Sequence, residues 1–144
     1  MLTIIVAEES AMIRSSIKLL FSEENDFRIT GEAKTYSDLF RTLNLFNFDI
    51  IILDFNFHEK AGIEILKEIK ISCPQLKVII ISRQYENQIV NKAFELGAGG
   101  FVRKTDIADE LVEAVKVVGA GKKYVSKHLQ SKLDNFNFQS EDED

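Results

Sequence analysis

Apolar runs rich in β-branched residues recur at similar intervals, at positions 2–7, 27–33, 49–55, 76–82 and 99–102. The first, third and fourth are almost unbroken Ile, Val and Leu, the pattern of parallel strands covered on both faces. The second alternates, with Phe27 and Ile29 against Arg28 and Thr30, as an edge strand does. The gaps carry a 3.6-residue period instead. After Ser10, a good N-cap, come Ile13, Ile17, Leu20 and Phe21. A second helix opens at Thr35 or Ser37 and carries Leu39, Leu43 and Phe46. A third carries Ile63, Leu66 and Ile69 and stops before Pro74, the only proline. The fourth spans 86–96 with Ile89, Ala93 and Phe94 inward, and Gly97 ends it. The fifth starts near Asp106 and shows Ile107, Leu111, Ala114, Val115 and Val118 on one stripe, with Gly119 and Gly121 beyond. Strand and helix alternating five times predict an α/β protein built on a doubly wound, five-stranded parallel sheet.

The region 122–144 reads as a C-terminal extension: a short helix over 127–133, then a tail ending in Glu141-Asp142-Glu143-Asp144. The formal net charge is −5, and those last residues carry four of the negative charges, so the body is near neutral. No basic patch of the kind that tracks phosphates stands out, so direct binding of nucleic acid by this chain is not expected. The apolar runs are far too short for a transmembrane helix, and no membrane association is expected. A single cysteine, Cys73, fits a reducing cytoplasm and reads as a small half-buried hydrophobe.

In an open α/β sheet the functional edge lies at the carboxyl ends of the strands. The first strand runs into Glu8 and Glu9, the third into Asp54, the fourth into Ser82 and the fifth towards Lys104. Crowded carboxylates repel and call for a hard cation. Mg²⁺ takes oxygen ligands and keeps several waters. A carboxylate such as Asp54 can attack a phosphoryl group to form an acyl phosphate, with the cation, an ammonium and a hydroxyl neutralising the transferring oxygens. Glu8 and Glu9 then serve the metal, Asp54 the attack, and Lys104 and Ser82 the phosphoryl oxygens. His58 and His128 are read as solvated loop residues. The glycine run at 97–100 precedes a strand instead of opening a helix, so it is read as a helix stop and not a phosphate cradle.

The segments IIVAEES, IIILDF with Gly62 eight residues after Asp54, VIIIS and GAGGFVRK together resemble the receiver domain of two-component response regulators, over residues 1–121. The stretch VVGAGKKYVSKHL further resembles the segment just after the receiver in regulators with a LuxR-type (NarL/FixJ-like) helix-turn-helix output domain. The resemblance implies a flavodoxin-like (βα)5 fold, Asp54 as phosphoacceptor and Glu8 and Glu9 as the acidic pair holding Mg²⁺ together with Asp54. It implies a backbone carbonyl of Asn56 as a further metal ligand, Ser82 as the switch hydroxyl, Phe101 as the aromatic that moves with it, and Lys104 as the phosphate-binding lysine. It also implies a sensor histidine kinase or small phosphodonor as partner, a homodimer as a plausible assembly, and transcription regulation through a DNA-binding domain absent from this chain. Two departures stand out. The family usually has at least one Asp in the acidic pair, where this chain has two Glu, and its Met-Pro after the phosphoacceptor is replaced by Phe57-His58. These departures favour an alternative, a pseudo-receiver acting as an unphosphorylated docking or dimerisation module. A flavin carrier on the same fold would want a Ser/Thr/Gly-rich cradle after the first strand, where two acids stand.

Overall fold

The side chains of neighbouring positions on each central strand leave on opposite faces of the sheet, and here both faces are dry. Ile5, Ala7, Ile51, Leu53, Val78, Ile80 and Phe101 pack into one core, and Ile4, Val6, Ile50, Ile52, Ile79, Ile81 and Val102 into the other. The computed structural model describes residues 1–133. Its elements are β1 (Leu2–Ala7), α1 (Ala11–Phe21), β2 (Phe27–Ala33), α2 (Tyr36–Leu45), β3 (Ile50–Asp54), α3 (Gly62–Ser72), β4 (Lys77–Ser82), α4 (Asn87–Glu95), β5 (Gly100–Arg103), a 3₁₀ turn (Lys104–Asp106), α5 (Ile107–Gly119), β6 (Tyr124–Val125) and α6 (Lys127–Gln130). The strand order is β2-β1-β3-β4-β5-β6 and every pairing is parallel. Helices α1 and α5 cover one face, and α2, α3 and α4 the other.

The parallel doubly wound sheet expected from the periodicity is present, with β2 at one edge. Among the described residues it has six strands rather than five. Tyr124 and Val125 pair with Gly100 and Phe101, and Leu129 and Leu133 are buried in the same core as Phe101. Part of the expected extension is thus packed onto the sheet, while the expected acidic tail lies outside the described residues. Phe46, expected on the inner face of α2, is 62% exposed. The helix has already ended at Leu45, and the extended backbone of Phe46 turns its ring outward. On α4 the fully buried positions are Val90 and Ala93, with Ile89 and Phe94 packed at the rim. Gly97 adopts a φ of +105°, a left-handed conformation that closes α4 without the steric cost a side chain would bring.

Candidate functional site

Three strands deliver charge to one end of the sheet. Ser10 caps α1 by accepting a hydrogen bond from the Ile13 amide, and its own amide donates to Glu8 Oε2 at 2.9 Å. That pulls the Glu8 carboxylate in under the loop, where it is only 2% exposed. Asp54, the last residue of β3, is equally buried, and its Oδ1 accepts from the Asn56 amide at 2.8 Å. Lys104 lies just past β5 and inserts its ammonium between the two acids, 2.9 Å from Asp54 Oδ1 and 3.2 Å from Glu8 Oε1. Glu8 Oε1 is buried and has no hydrogen-bond partner, so the lysine reaches it as an ion pair only.

Two buried carboxylates against one ammonium leave an excess negative charge. Glu8 bears the consequence. Its pKa is raised above the usual carboxylate value, first by burial and also by the Asp54 charge. The Ser10 amide and Lys104 oppose the shift. A carboxyl group whose pKa is raised on folding contributes stability below its unfolded value and loses that contribution as pH rises through the folded one. In metal-free buffer, Glu8→Gln is therefore expected to be more stable than the parent at pH 7–8, with the advantage shrinking as pH falls through the carboxylate range. Thermal melts across that range check it. A pH-independent difference would assign the effect to packing.

The remaining expected residues are placed less centrally. Glu9 is exposed, and its Oε2 accepts from the His58 amide at 2.6 Å across a separation of 49 residues. Asn56 sits at the site through its amide, and its side-chain Oδ1 accepts from Arg83 N at 3.3 Å. Ser82 ends β4, but its hydroxyl is turned into its own loop, donating to Gln84 O at 2.8 Å and accepting from Gln84 N at 3.0 Å. Phe101 is fully buried in β5, its ring edge-on to Phe55 at 6.3 Å. One contributor has no counterpart among the residues expected from the sequence. Arg14 donates to the carbonyls of Glu8 at 2.6 Å and Glu9 at 3.0 Å and pairs with Glu32, so it fixes the loop that presents both acids. An arginine one turn into a helix carries no signal by itself.

Whether these residues suit Mg²⁺ is a matter of donor chemistry. Among the described residues no three His, Cys, Asp or Glu side chains converge as a metal cage. Mg²⁺ does not require one, since it is commonly held by one or two carboxylates while keeping waters. The orphaned, buried Glu8 Oε1 and the adjoining Asp54 form an all-oxygen set of that kind, short of positive charge. The residues fit the ion.

The response regulator receiver domain family model matches residues 4–116. Among curated relatives, the transcriptional regulatory protein DegU of Brevibacillus brevis is 26% identical over 130 residues, covering 90% of this chain and 55% of DegU. The response regulator GacA of Pseudomonas aeruginosa is 22% identical over 144 residues, covering 100% of this chain and 67% of GacA. The chain thus spans about half to two thirds of the length of these relatives. Among solved structures, a LuxR-family two-component response regulator from Aurantimonas sp. superposes with a TM-score of 0.85 at 23% identity, covering 92% of this chain and 94% of that one. The isolated receiver domain of RcsB from Salmonella enterica gives 0.85 at 20% identity, covering 92% and 99%. Both share the fold. With a match over most of its length, a parallel sheet of the same architecture and an acidic edge built around Asp54 and Lys104, this chain belongs to the response regulator receiver domain family.

Proposed function

We propose that the chain is a signalling module that accepts a phosphoryl group on Asp54 and passes the resulting change to an output. The observation that carries this is the convergence of Asp54, Glu8 and Lys104, from three strands, on one buried spot at the carboxyl edge of the sheet. The contacts of Asp54 with the Asn56 amide and with Lys104 both fall on Oδ1, which leaves Oδ2 to attack phosphorus. The new P–O bond forms as the bond to the donor breaks. With a phosphohistidine donor the imidazole leaves and takes up a proton. Lys104 is placed to hold charge on the transferring oxygens. Mg²⁺ bound by Glu8, Asp54 and the Asn56 carbonyl would neutralise further charge there. Ser82, released from its loop, would bond the phosphoryl group, and Phe101 would move with it.

A sensor kinase or a small phosphodonor in the cytoplasm would supply the group. The likeness of residues 117–129 to LuxR-type regulators supports transcription control as the output, with a homodimer as a further expectation. On this reading the receiver runs to about residue 121, and residues 122–144 form an extension. A second reading, an unphosphorylated docking module, draws on the burial of Asp54 at 2% exposure. One measurement separates them. Incubation with acetyl phosphate and Mg²⁺, then intact-mass analysis, is expected to show a single added phosphate, labile to hydroxylamine and absent from Asp54→Ala. An unmodified parent protein would favour the docking module, and labelling that persists in Asp54→Ala would remove Asp54 from the role.

A further inference from the structure

At the amino edge of the sheet, opposite the end that carries Asp54, a cleft of about 250 Å³ opens where α3, α4 and α5 finish. Four lysines line it, Lys70, Lys77, Lys122 and Lys123, and no acid does. The Lys70 side chain lies across Gly97, where a Cβ would come within 2.6 Å of its Cε. Lys70 and Lys77 are half-buried, and their ammonium groups donate to neutral acceptors, the carbonyls of Leu76 at 3.4 Å and Gly119 at 3.0 Å. Burial lowers the pKa of Lys70 below the usual lysine value, the mark of a charge short of solvent. Elsewhere on the surface the arrangement differs. Lys18, Lys60, Lys116 and Lys127 each pair with a glutamate. The cleft is thus a local excess of cation on a body that is near neutral, and the chain also has one local excess of anion, Glu141-Asp142-Glu143-Asp144.

We propose that the cleft seats the acidic segment 141–144 of the same chain, its carboxylates set against the four lysines. The route is short. The Lys132 carbonyl accepts from Asn87 Nδ2 at 3.0 Å, so the chain beyond Leu133 departs beside the first turn of α4. That helix leads to the cleft, which Phe94 and Gly97 help to line. Its 9 residues rise about 14 Å. Residues 134–140 can span up to about 23 Å, so the acids reach the lysines without stretching. Ile89 and Phe94, half-buried on the rim of α4, flank this path, and the run Asn-Phe-Asn-Phe at 135–138 brings two rings at the spacing that suits one-sided apolar contact. Tethering supplies what single surface ion pairs lack. An exposed pair is weak, but a short linker holds the acids at an effective concentration on the order of millimolar. Neither a free anion nor a second copy in dilute solution has that advantage. While seated, the segment closes the cleft to other anions, so an acidic or phosphate-bearing partner has to displace it.

The test uses the full chain with a nitroxide on Ser140→Cys in a Cys73→Ala background, read by amide relaxation in ¹⁵N-labelled protein. At about 20 mM NaCl the amides of Gly97, Gly99 and Gly121 are expected to relax at least about threefold faster than those of Ala7 and Asp54 at the opposite end of the sheet. Raising NaCl to about 0.5 M is expected to remove at least about half of that enhancement. Neutralising the segment (Glu141→Gln, Asp142→Asn, Glu143→Gln, Asp144→Asn) and neutralising the exposed Lys122→Gln with Lys123→Gln are each expected to do the same. Without any tag, the neutralised segment should also shift the resonances of the three glycines, so a tagged variant that fails to fold does not shelter the proposal. Relaxation no faster at the glycines than at Ala7, or no glycine shift in the untagged pair, overturns the seat. Enhancement indifferent to salt and to neutralisation assigns the contact to the phenylalanines and overturns the charge pairing. Enhancement that persists at equal strength when tagged ¹⁴N protein is mixed with untagged ¹⁵N protein belongs to a second copy and overturns the intramolecular assignment.

Discussion

Replacing Lys104 by Met is expected to lower stability by about 3–5 kcal/mol at neutral pH, because it strips from two buried carboxylates the ammonium that pairs with both. The methionine keeps much of the side-chain volume, so the loss is electrostatic. Glu8 and Asp54, each 2% exposed, would face one another uncompensated. For a domain of this size each kcal/mol shifts the melting midpoint by roughly 2–4 °C, so a drop of about 6–20 °C is expected. The pH dependence identifies the cause. Without the lysine, the Glu8 carboxyl, already raised by burial and by the Asp54 charge, loses one of the influences that oppose its shift and rises further on folding. A raised folded value means stability is retained below the unfolded value and lost as pH climbs through the folded one. The deficit should therefore be small near pH 4 and full by pH 7–8, and MgCl₂ should restore part of it by occupying the vacated charge. A deficit that is flat over that range and indifferent to Mg²⁺ would show that the carboxylates are not the source.

Phe101→Ala is the second large effect. The ring is fully buried, with the Phe55 ring edge-on to it, and its strand residue pairs with Ile80 on one side and Val125 on the other. Truncating a phenylalanine in such a site costs about 3–5 kcal/mol through lost transfer energy and the cavity left behind. The damage should not spread evenly. The Phe101 carbonyl also accepts from Ser126 N at 3.0 Å, and β6 has only two residues with which to hold β5. Amide exchange is expected to rise first at Tyr124 and Ser126, ahead of β3 and β4. Urea melts and exchange measurements check both parts. A cost below about 1 kcal/mol would mean that the neighbours close over the hole. Uniform loss of protection would mean that β6 is not a separable unit.

The fold was legible where physics acts locally. Unbroken runs such as IIIL at 50–53 announce strands buried on both sides, and the stripe from Ile107 to Val118 announces α5. β6 was not legible, because two residues between a lysine pair and a serine cannot display alternation. Only the position of Phe101 in space makes Tyr124–Val125 a strand. The site shows the same division. Asp54 and Lys104 stand at strand ends that the run lengths already locate. The different fates of Glu8 and Glu9 depend on which backbone amides lie within reach. Those of Ser10 and His58 are supplied by the N-terminus of α1 and by a loop 49 residues away. Ser82 was placed correctly at the end of β4, yet its hydroxyl bonds to Gln84, a local preference of serine that no pattern of strands encodes.

The strand order has a consequence for how the molecule assembles. After β3 crosses over from β2 to pair with the far side of β1, each strand from β4 to β6 docks beside its predecessor in the chain, so the sheet can grow in one direction as segments become available. Each docking event closes a loop of one helix and its turns, and none requires threading. The growing margin always presents unpaired backbone until the next strand arrives. Tyr124–Val125 is the last of these additions and leaves the shortest margin, two residues backed by a turn of helix. Newly made chains would therefore carry their exposed margin at β5 until residues 122–130 emerge, and stalling before that point should leave the stickiest intermediate on the route.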